Sequence, residues 1–247
     1  MIQRGHTAAK AAAFDDPWGE IAYAAALARR PKHAVRDHLD ALRTSTKLTR
    51  WFRKQREPQV LDVTPENVIA ALNRAGIRPV LMGTYGIGGY RSEARATEDV
   101  DVLVSKREVR KSIRVLEQEF ADLKLEEHPA VARFRNAANR RIVLDVMKPI
   151  SQVMQAVFRN SIKVGKTHRI PKLEMALITK FMAMTGPRRA PDKRLVDAGD
   201  FTNIVLHNRA AIDLKKLKRL GDKVSPGEGV AILRLVAEID AGRTIQI

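Results

Sequence analysis

No cysteine occurs among the 247 residues. Disulfides, thiolate metal sites and thiol nucleophiles are therefore excluded, which leaves carboxylate, histidine and hydroxyl chemistry. With no soft ligand available, a hard cation such as magnesium is the natural metal. No apolar run approaches the roughly 18 to 20 residues needed to span a bilayer. The start, Met1-Ile2-Gln3-Arg4, lacks the apolar core of a secretion signal, so a cytoplasmic location is the default expectation. Internal repeats and low-complexity segments are absent. The six histidines, at 6, 33, 38, 128, 168 and 207, show no metal-ligand spacing in an apolar helical setting, and His33 and His38 are expected on an exposed basic helix. Two phosphate-binding fingerprints are incomplete. Gly86-Ile87-Gly88-Gly89-Tyr90-Arg91 lacks the third glycine of a dinucleotide motif, and Gly165-Lys166-Thr167 follows Asn160 where a P-loop requires glycine.

What is abundant is positive charge. The formal charge is +17, with 45% apolar and 30% charged residues, the composition of a folded globular chain that meets a polyanion. The excess is uneven. Residues 1–60 carry 12 Lys and Arg against 6 Asp and Glu, and 61–148 carry 15 against 13. Residues 149–186 carry 6 against 1, and 187–247 carry 12 against 8. Acids thus concentrate in the centre and bases in the flanks, as expected if the centre holds metal and the flanks hold nucleic acid.

Periodicity divides the chain in the same way. Helices are expected over 17–29 and 32–57, the second ending before Pro58. Thr64 and Pro65 make an N-cap and N1 pair for a helix that stops at Gly76. A strand over Arg78 to Met82 follows, then a glycine loop, then the Asp99 strand. Ser105 and Glu108 have capping-box spacing for a helix closing near Asp122. Strands Val131 to Arg135 and Arg140 to Val146 flank a hairpin joint, Asn136 to Asn139. Beyond Pro149 the pattern is helical over 150–158, 171–185, 191–207, 211–220 and 226–240, with extended pieces only at Ser161 to Val164 and Thr167 to Ile170. The expected architecture is α+β. A small mixed-sheet core at 61–148 lies between a basic N-terminal helical arm at 1–60 and a C-terminal helical region at 149–247.

The core contains the chemistry. In Thr97-Glu98-Asp99-Val100-Asp101-Val102-Leu103-Val104 the period of two puts Asp99 and Asp101 on one face, and Ile142-Val143-Leu144-Asp145-Val146 offers a third acid. Aspartate is depleted from strands, so three in apolar strands call for a reason. Such acids could hold one or two magnesium ions for in-line phosphoryl or nucleotidyl transfer, or they could pair with Arg91, Arg95 or Arg141. Gly83-Thr84 ends a strand where backbone and hydroxyl could approach a triphosphate, or it could form a plain turn. Lys180 falls within the apolar stripe Leu173, Leu177, Phe181, Met184, so its ammonium should meet a phosphate or a core acid unless its stem carries it out to solvent. Asp197 and Asp200 read as a solvated face or as partners of Lys193 or Arg194. Trp18, Trp51 and Phe52 could stack on bases beside Arg50, Arg53 and Lys54, although docking of the helix is the commoner role of such residues.

Taken together, Met82-Gly83-Thr84, Asp99-Val100-Asp101 and Asp145 resemble the signature of the polymerase-beta-like nucleotidyltransferase superfamily. Thr84 stands where the family has Gly or Ser and keeps the hydroxyl. The stretch from Arg169 to Lys180, followed by Asp192 to Asp200, is similar to the C-terminal motif of the abortive-infection toxin branch, and the resemblance covers residues 65–206. It implies magnesium-dependent transfer of a nucleoside monophosphate from a nucleoside triphosphate to a hydroxyl. Asp99 and Asp101 would bind two metal ions, Asp145 one of them, Gly83 and Thr84 the triphosphate, and Lys180 its outer phosphates. The basic flanks favour RNA, including the 3′ end of tRNA, as acceptor. A small-molecule acceptor is an alternative, as is a catalytically silent RNA-binding or antitoxin-binding protein of the same fold. An antitoxin is also a possible partner of an active enzyme.

Overall fold

The computed structural model describes residues 34–243 and 245, so the expected helix at 17–29, with Trp18, lies outside the described residues, as does His33. The fold is α+β. In chain order it runs α1 (Ala34–Arg56), α2 (Pro65–Arg74), β1 (Val80–Leu81), α3 (Gly83–Ile87), β2 (Val100–Leu103), α4 (Val109–Glu119), β3 (Leu123–Glu127), β4 (Val131–Asn136) and β5 (Ile142–Met147). Then come α5 (Gln152–Arg159), β6 (Ser161–Val164), β7 (His168–Pro171), α6 (Leu173–Thr185), α7 (Pro191–Asn208), α8 (Leu214–Val224) and α9 (Glu228–Asp240). One seven-stranded mixed sheet has the order β3-β4-β5-β2-β1-β7-β6. No described helix is long and apolar enough to cross a membrane.

Alternation along the strands sorts the apolar residues into two layers. Val100, Val102, Leu144 and Val146 face a cluster completed by Leu72 of α2 and by Ile113 and Leu116 of α4. Leu103 faces the second cluster, built from α5 to α9 around Phe181, Phe201 and Ile232, and Met147 packs against it. Asp101 and Asp145 have the parity of Leu103 and Met147, so they lie on that second face. Parallel pairing of β2 with β5 puts Asp101 directly opposite Asp145, and antiparallel pairing of β4 with β5 puts Arg133 opposite Asp145.

Several local expectations need correction. The segment following Met82 is helical, as α3 and a 3-10 turn over Gly88–Tyr90, where a glycine loop was expected. The capping box does not form: the Ser105 hydroxyl bonds the Glu108 carboxylate itself, and α4 starts after Glu108 without a side-chain cap. β3 was not foreseen at all; it is an edge strand whose residues Leu123-Lys124-Leu125-Glu126-Glu127 are all at least partly exposed. The extended pieces β6 and β7 join the main sheet, because β7 pairs parallel with β1 through Val80 and Arg169. The expected division at 148/149 therefore falls between strands of one sheet. Elsewhere the Thr64 side chain accepts from Asn67 N at 3.2 Å, the N-cap expected for α2.

Candidate functional site

All six candidate residues, Gly83, Thr84, Asp99, Asp101, Asp145 and Lys180, line one cleft of about 870 Å³. Strand pairing brings Asp101 and Asp145 together, and Asp99 stands two residues before Asp101, just outside the start of β2. Gly83 closes against them. Its φ is +56°, and a Cβ built on it would lie 1.9 Å from Asp101 Oδ2. Only glycine permits this approach of the β1–α3 backbone to the acid. The chain is tied down there by Met82 N donating to Asp101 O at 2.8 Å.

Three carboxylates in one partly dry cleft oppose one another's ionisation. Burial, then Asp99 and Asp145, raise the Asp101 carboxyl well above the usual carboxylate range, with Lys180 and Arg189 pulling the other way. Burial pushes Asp145 up to about 6, opposed by Arg133 and reinforced by Asp99. Arg133 Nε stands 3.5 Å from Asp145 Oδ2, while Asp145 Oδ1 is buried with no hydrogen-bond partner among the described residues. An orphaned carboxylate oxygen beside two further acids suits a hard cation. The side chains are not already closed into a cage, since no set of three or more His, Cys, Asp or Glu residues among the described residues forms a metal group. None of the alternative partners Arg91, Arg95 or Arg141 is bonded to the three acids; Arg91 and Arg95 pair with Asp200, and Arg141 approaches Glu57.

Asp99 is oriented by a chain of hydroxyls. Thr97 Oγ1 donates to Asp99 Oδ1 at 3.1 Å, Thr97 N donates to Thr49 Oγ1 at 3.1 Å, and Tyr85 OH donates to the same Thr49 oxygen at 3.1 Å. Arg53, buried on α1, donates to Val63 O and to Glu98 O, each at 2.6 Å, and so fixes the backbone entering Asp99. Thr49 and Thr97 carry no sequence signal, and Arg53, expected beside stacked bases, is buried and bonded to backbone instead; these roles arise only through contacts 45 to 48 residues apart.

Lys180 points inward and meets acids. Its Nζ is 2.7 Å from Asp197 Oδ1 and 2.7 Å from Asp200 Oδ2. Asp197 and Asp200 are each only 2% exposed, so the expected solvated face is corrected. Nor are Lys193 and Arg194 their partners: Lys193 pairs with Glu98, and Arg194 donates to Met184 O. Asp197 also holds Arg189 at 2.8 Å, and Asp200 holds Arg91 and Arg95. Burial alone would raise Asp200, but Lys180, Arg95 and Arg91 hold it down to about 2. The result is a buried lattice that clamps α7 to α6 and to the segment before β2, with Lys180 and Arg189 at the cleft.

Two aromatic and histidine expectations also change. His38 is fully buried, not on an exposed face, and its Nε2 lies 2.9 Å from Nε2 of His168 on β7. Burial, with His168 adding to it, brings His38 down to about 3, and burial brings His168 down to about 4. Trp51 and Phe52 do not dock α1; they are 41% and 44% exposed and stack edge to face with centroids 4.9 Å apart.

No protein-family model matches this chain, and no curated protein matches it. The functional reading therefore rests on the site.

Proposed function

We propose that the protein is a magnesium-dependent nucleotidyltransferase that moves a nucleoside monophosphate from a nucleoside triphosphate to a hydroxyl on RNA. One observation carries the reading: Asp101 and Asp145 stand in register on adjacent parallel strands, with Gly83 pressed against Asp101 in a cleft that Asp99 and Lys180 also line. That is the arrangement the family resemblance requires of residues 62 positions apart in the chain. The positive charge at the cleft, from Arg133, Arg188, Arg189 and Lys193, matches a polyphosphate donor and a polyanionic acceptor.

In this reading Asp99, Asp101 and Asp145 hold the cation. Magnesium bound there would favour ionisation of the acceptor hydroxyl and take up charge on the departing pyrophosphate. Asp145, on the acceptor side, accepts the hydroxyl proton. The acceptor oxygen forms its bond to the α-phosphorus as the bond from that phosphorus to the bridging oxygen breaks, and pyrophosphate leaves with the electron pair. Gly83 lets the backbone approach the triphosphate, the Thr84 hydroxyl donates to it, and Lys180 and Arg189 neutralise its outer phosphates.

The test incubates wild type and Asp99→Ala/Asp101→Ala with magnesium, each α-labelled nucleoside triphosphate and total RNA, followed by a denaturing gel. A labelled RNA band with wild type alone is the expected result. Label on a small molecule would replace the acceptor, and absence of both transfer and magnesium-dependent triphosphate binding would overturn the enzymatic reading.

A further inference from the structure

The cations of the cleft fall into two groups on either side of the acids. On the β1 and β7 side, α6, α7 and the segment joining them supply Lys180, Arg188, Arg189 and Lys193. On the β4 and β5 side the wall is made by the last turns of α1 and by the β4–β5 hairpin, with Arg53, Arg56, Arg133, Arg135 and Arg141. The two pieces of this second wall are joined through Glu57, which accepts from Asn139 Nδ2 at 2.5 Å and lies 3.6 Å from Arg141. One triphosphate needs one wall, and the second is then left for another polyanion.

Thr49, Phe52, Arg53 and Arg56 occupy positions i, i+3, i+4 and i+7 of α1 and form its cleft-facing stripe. Phe52 therefore presents its ring at the cleft, with Trp51 standing edge-on against it. Both rings are open to solvent although they offer large apolar surfaces, and Arg50, Lys54 and Arg56 around them are exposed with no acidic partner among the described residues. An apolar protein partner does not need such a ring of cations. Stacked bases with phosphates between them do, and only unpaired nucleotides expose both base faces.

We infer that the end of α1 and the β4–β5 hairpin form a binding surface for the unpaired 3′ end of a polynucleotide, with Trp51 and Phe52 stacking on its bases and Arg56 and Arg141 on its phosphates. The direction of the strand, its terminal hydroxyl toward Asp145, rests on the nucleotidyltransferase reading; the binding surface itself does not.

The experiment uses the full chain and a 5′-fluorescein-labelled 12-nucleotide single strand, as RNA and as DNA, with a blunt hairpin as control, read by anisotropy. Trp51→Ala and Phe52→Ala should each weaken single-strand binding about tenfold and leave the melting temperature unchanged. Arg56→Ala and Arg141→Ala should each lower the slope of log affinity against log salt by about one. In a Trp18→Phe background, Trp51 fluorescence should be quenched by the unlabelled strand. Unaltered affinity in both aromatic variants, equal affinity for the blunt hairpin, or self-association abolished by Trp51→Ala would each overturn the inference. Asp99→Ala/Asp101→Ala should bind the strand no more weakly than wild type. Quenching and stacking-dependent binding, with neither transfer nor magnesium-dependent triphosphate binding, would leave the surface standing and sink the enzymatic reading alone.

Discussion

Gly83 and Asp101 stand so close that a single methyl group on the glycine would overlap the carboxylate, at 1.9 Å from its Oδ2. The contact fixes the spacing between the turn after β1 and the acid on β2. Ala at this position forces the acid aside and also places a side chain at φ +56°. Gly83→Ala should cost about 1 to 2 kcal/mol of stability but remove at least about 100-fold of nucleotide transfer, since the reacting geometry tolerates little displacement. Calorimetry beside the transfer assay checks the disproportion, and a variant that keeps full activity would refute the contact.

The lattice around Lys180 makes a separate prediction. Lys180→Met leaves Asp197 and Asp200 buried beside an apolar side chain, although Asp197 keeps Arg189 and Asp200 keeps Arg91 and Arg95. Breaking a buried pair from one side costs about 3 to 5 kcal/mol, which corresponds to a fall of roughly 10 °C in melting temperature for a chain of this size. Lys180→Met/Asp197→Asn should recover part of that loss. A double variant no more stable than the single one would show that the pair is not coupled.

The crowded acids should trade stability for function. Without added metal at pH 7.5, Asp101→Asn removes one of three mutually repelling carboxylates and should raise the melting temperature. Magnesium should then raise the melting temperature of wild type and leave that of Asp101→Asn where it was. A variant less stable than wild type in the absence of metal would contradict the electrostatic account.

The buried pair His38 and His168 sets an acid limit. Both are held neutral, at about 3 and about 4 against the ordinary 6.5, so the unfolded chain binds more protons than the folded one below pH 6.5. Their contribution is complete above pH 6.5 and is lost progressively as the pH falls from there toward 4 and 3. Melting temperature should therefore drop across this window, and His168→Gln should flatten the drop. An unaltered profile in that variant would exclude the pair as its source.

How far the chain could be read in advance follows from the range of each interaction. Asp99 and Asp101 are legible as lining one cleft because they stand two residues apart, although Asp99 precedes the strand, and the helix starting at Pro65 is legible because Thr64 caps it three residues away. Gly83 and Asp145 could be singled out by residue type within apolar strands. Their meeting with Asp101 could not be derived without the family resemblance, since it depends on sheet order. His38 was misplaced because its burial comes from α1 lying against Gly89 and from a partner 130 residues away. Asp197 and Asp200 are misread from sequence because all four of their cationic partners, Arg91, Arg95, Lys180 and Arg189, come from outside α7 at separations beyond a helical turn. β3 escaped because an exposed edge strand alternates too weakly to stand out from a loop.

The two-residue strand β1 has a consequence for the order in which the protein becomes competent. It is held on one side by β2 and on the other by β7, whose residue Arg169 pairs with Val80. A chain emerging from the ribosome exposes all three acids by residue 145, yet the strand that backs the glycine turn and the cleft cations Lys180, Arg188, Arg189 and Lys193 arrive only between residues 168 and 193. The cleft is thus completed late in synthesis, by contacts of long sequence separation that close slowly. Unfinished chains carry the carboxylates without the cations assigned to the triphosphate, and truncations before α6 should lack triphosphate binding, on an incomplete sheet.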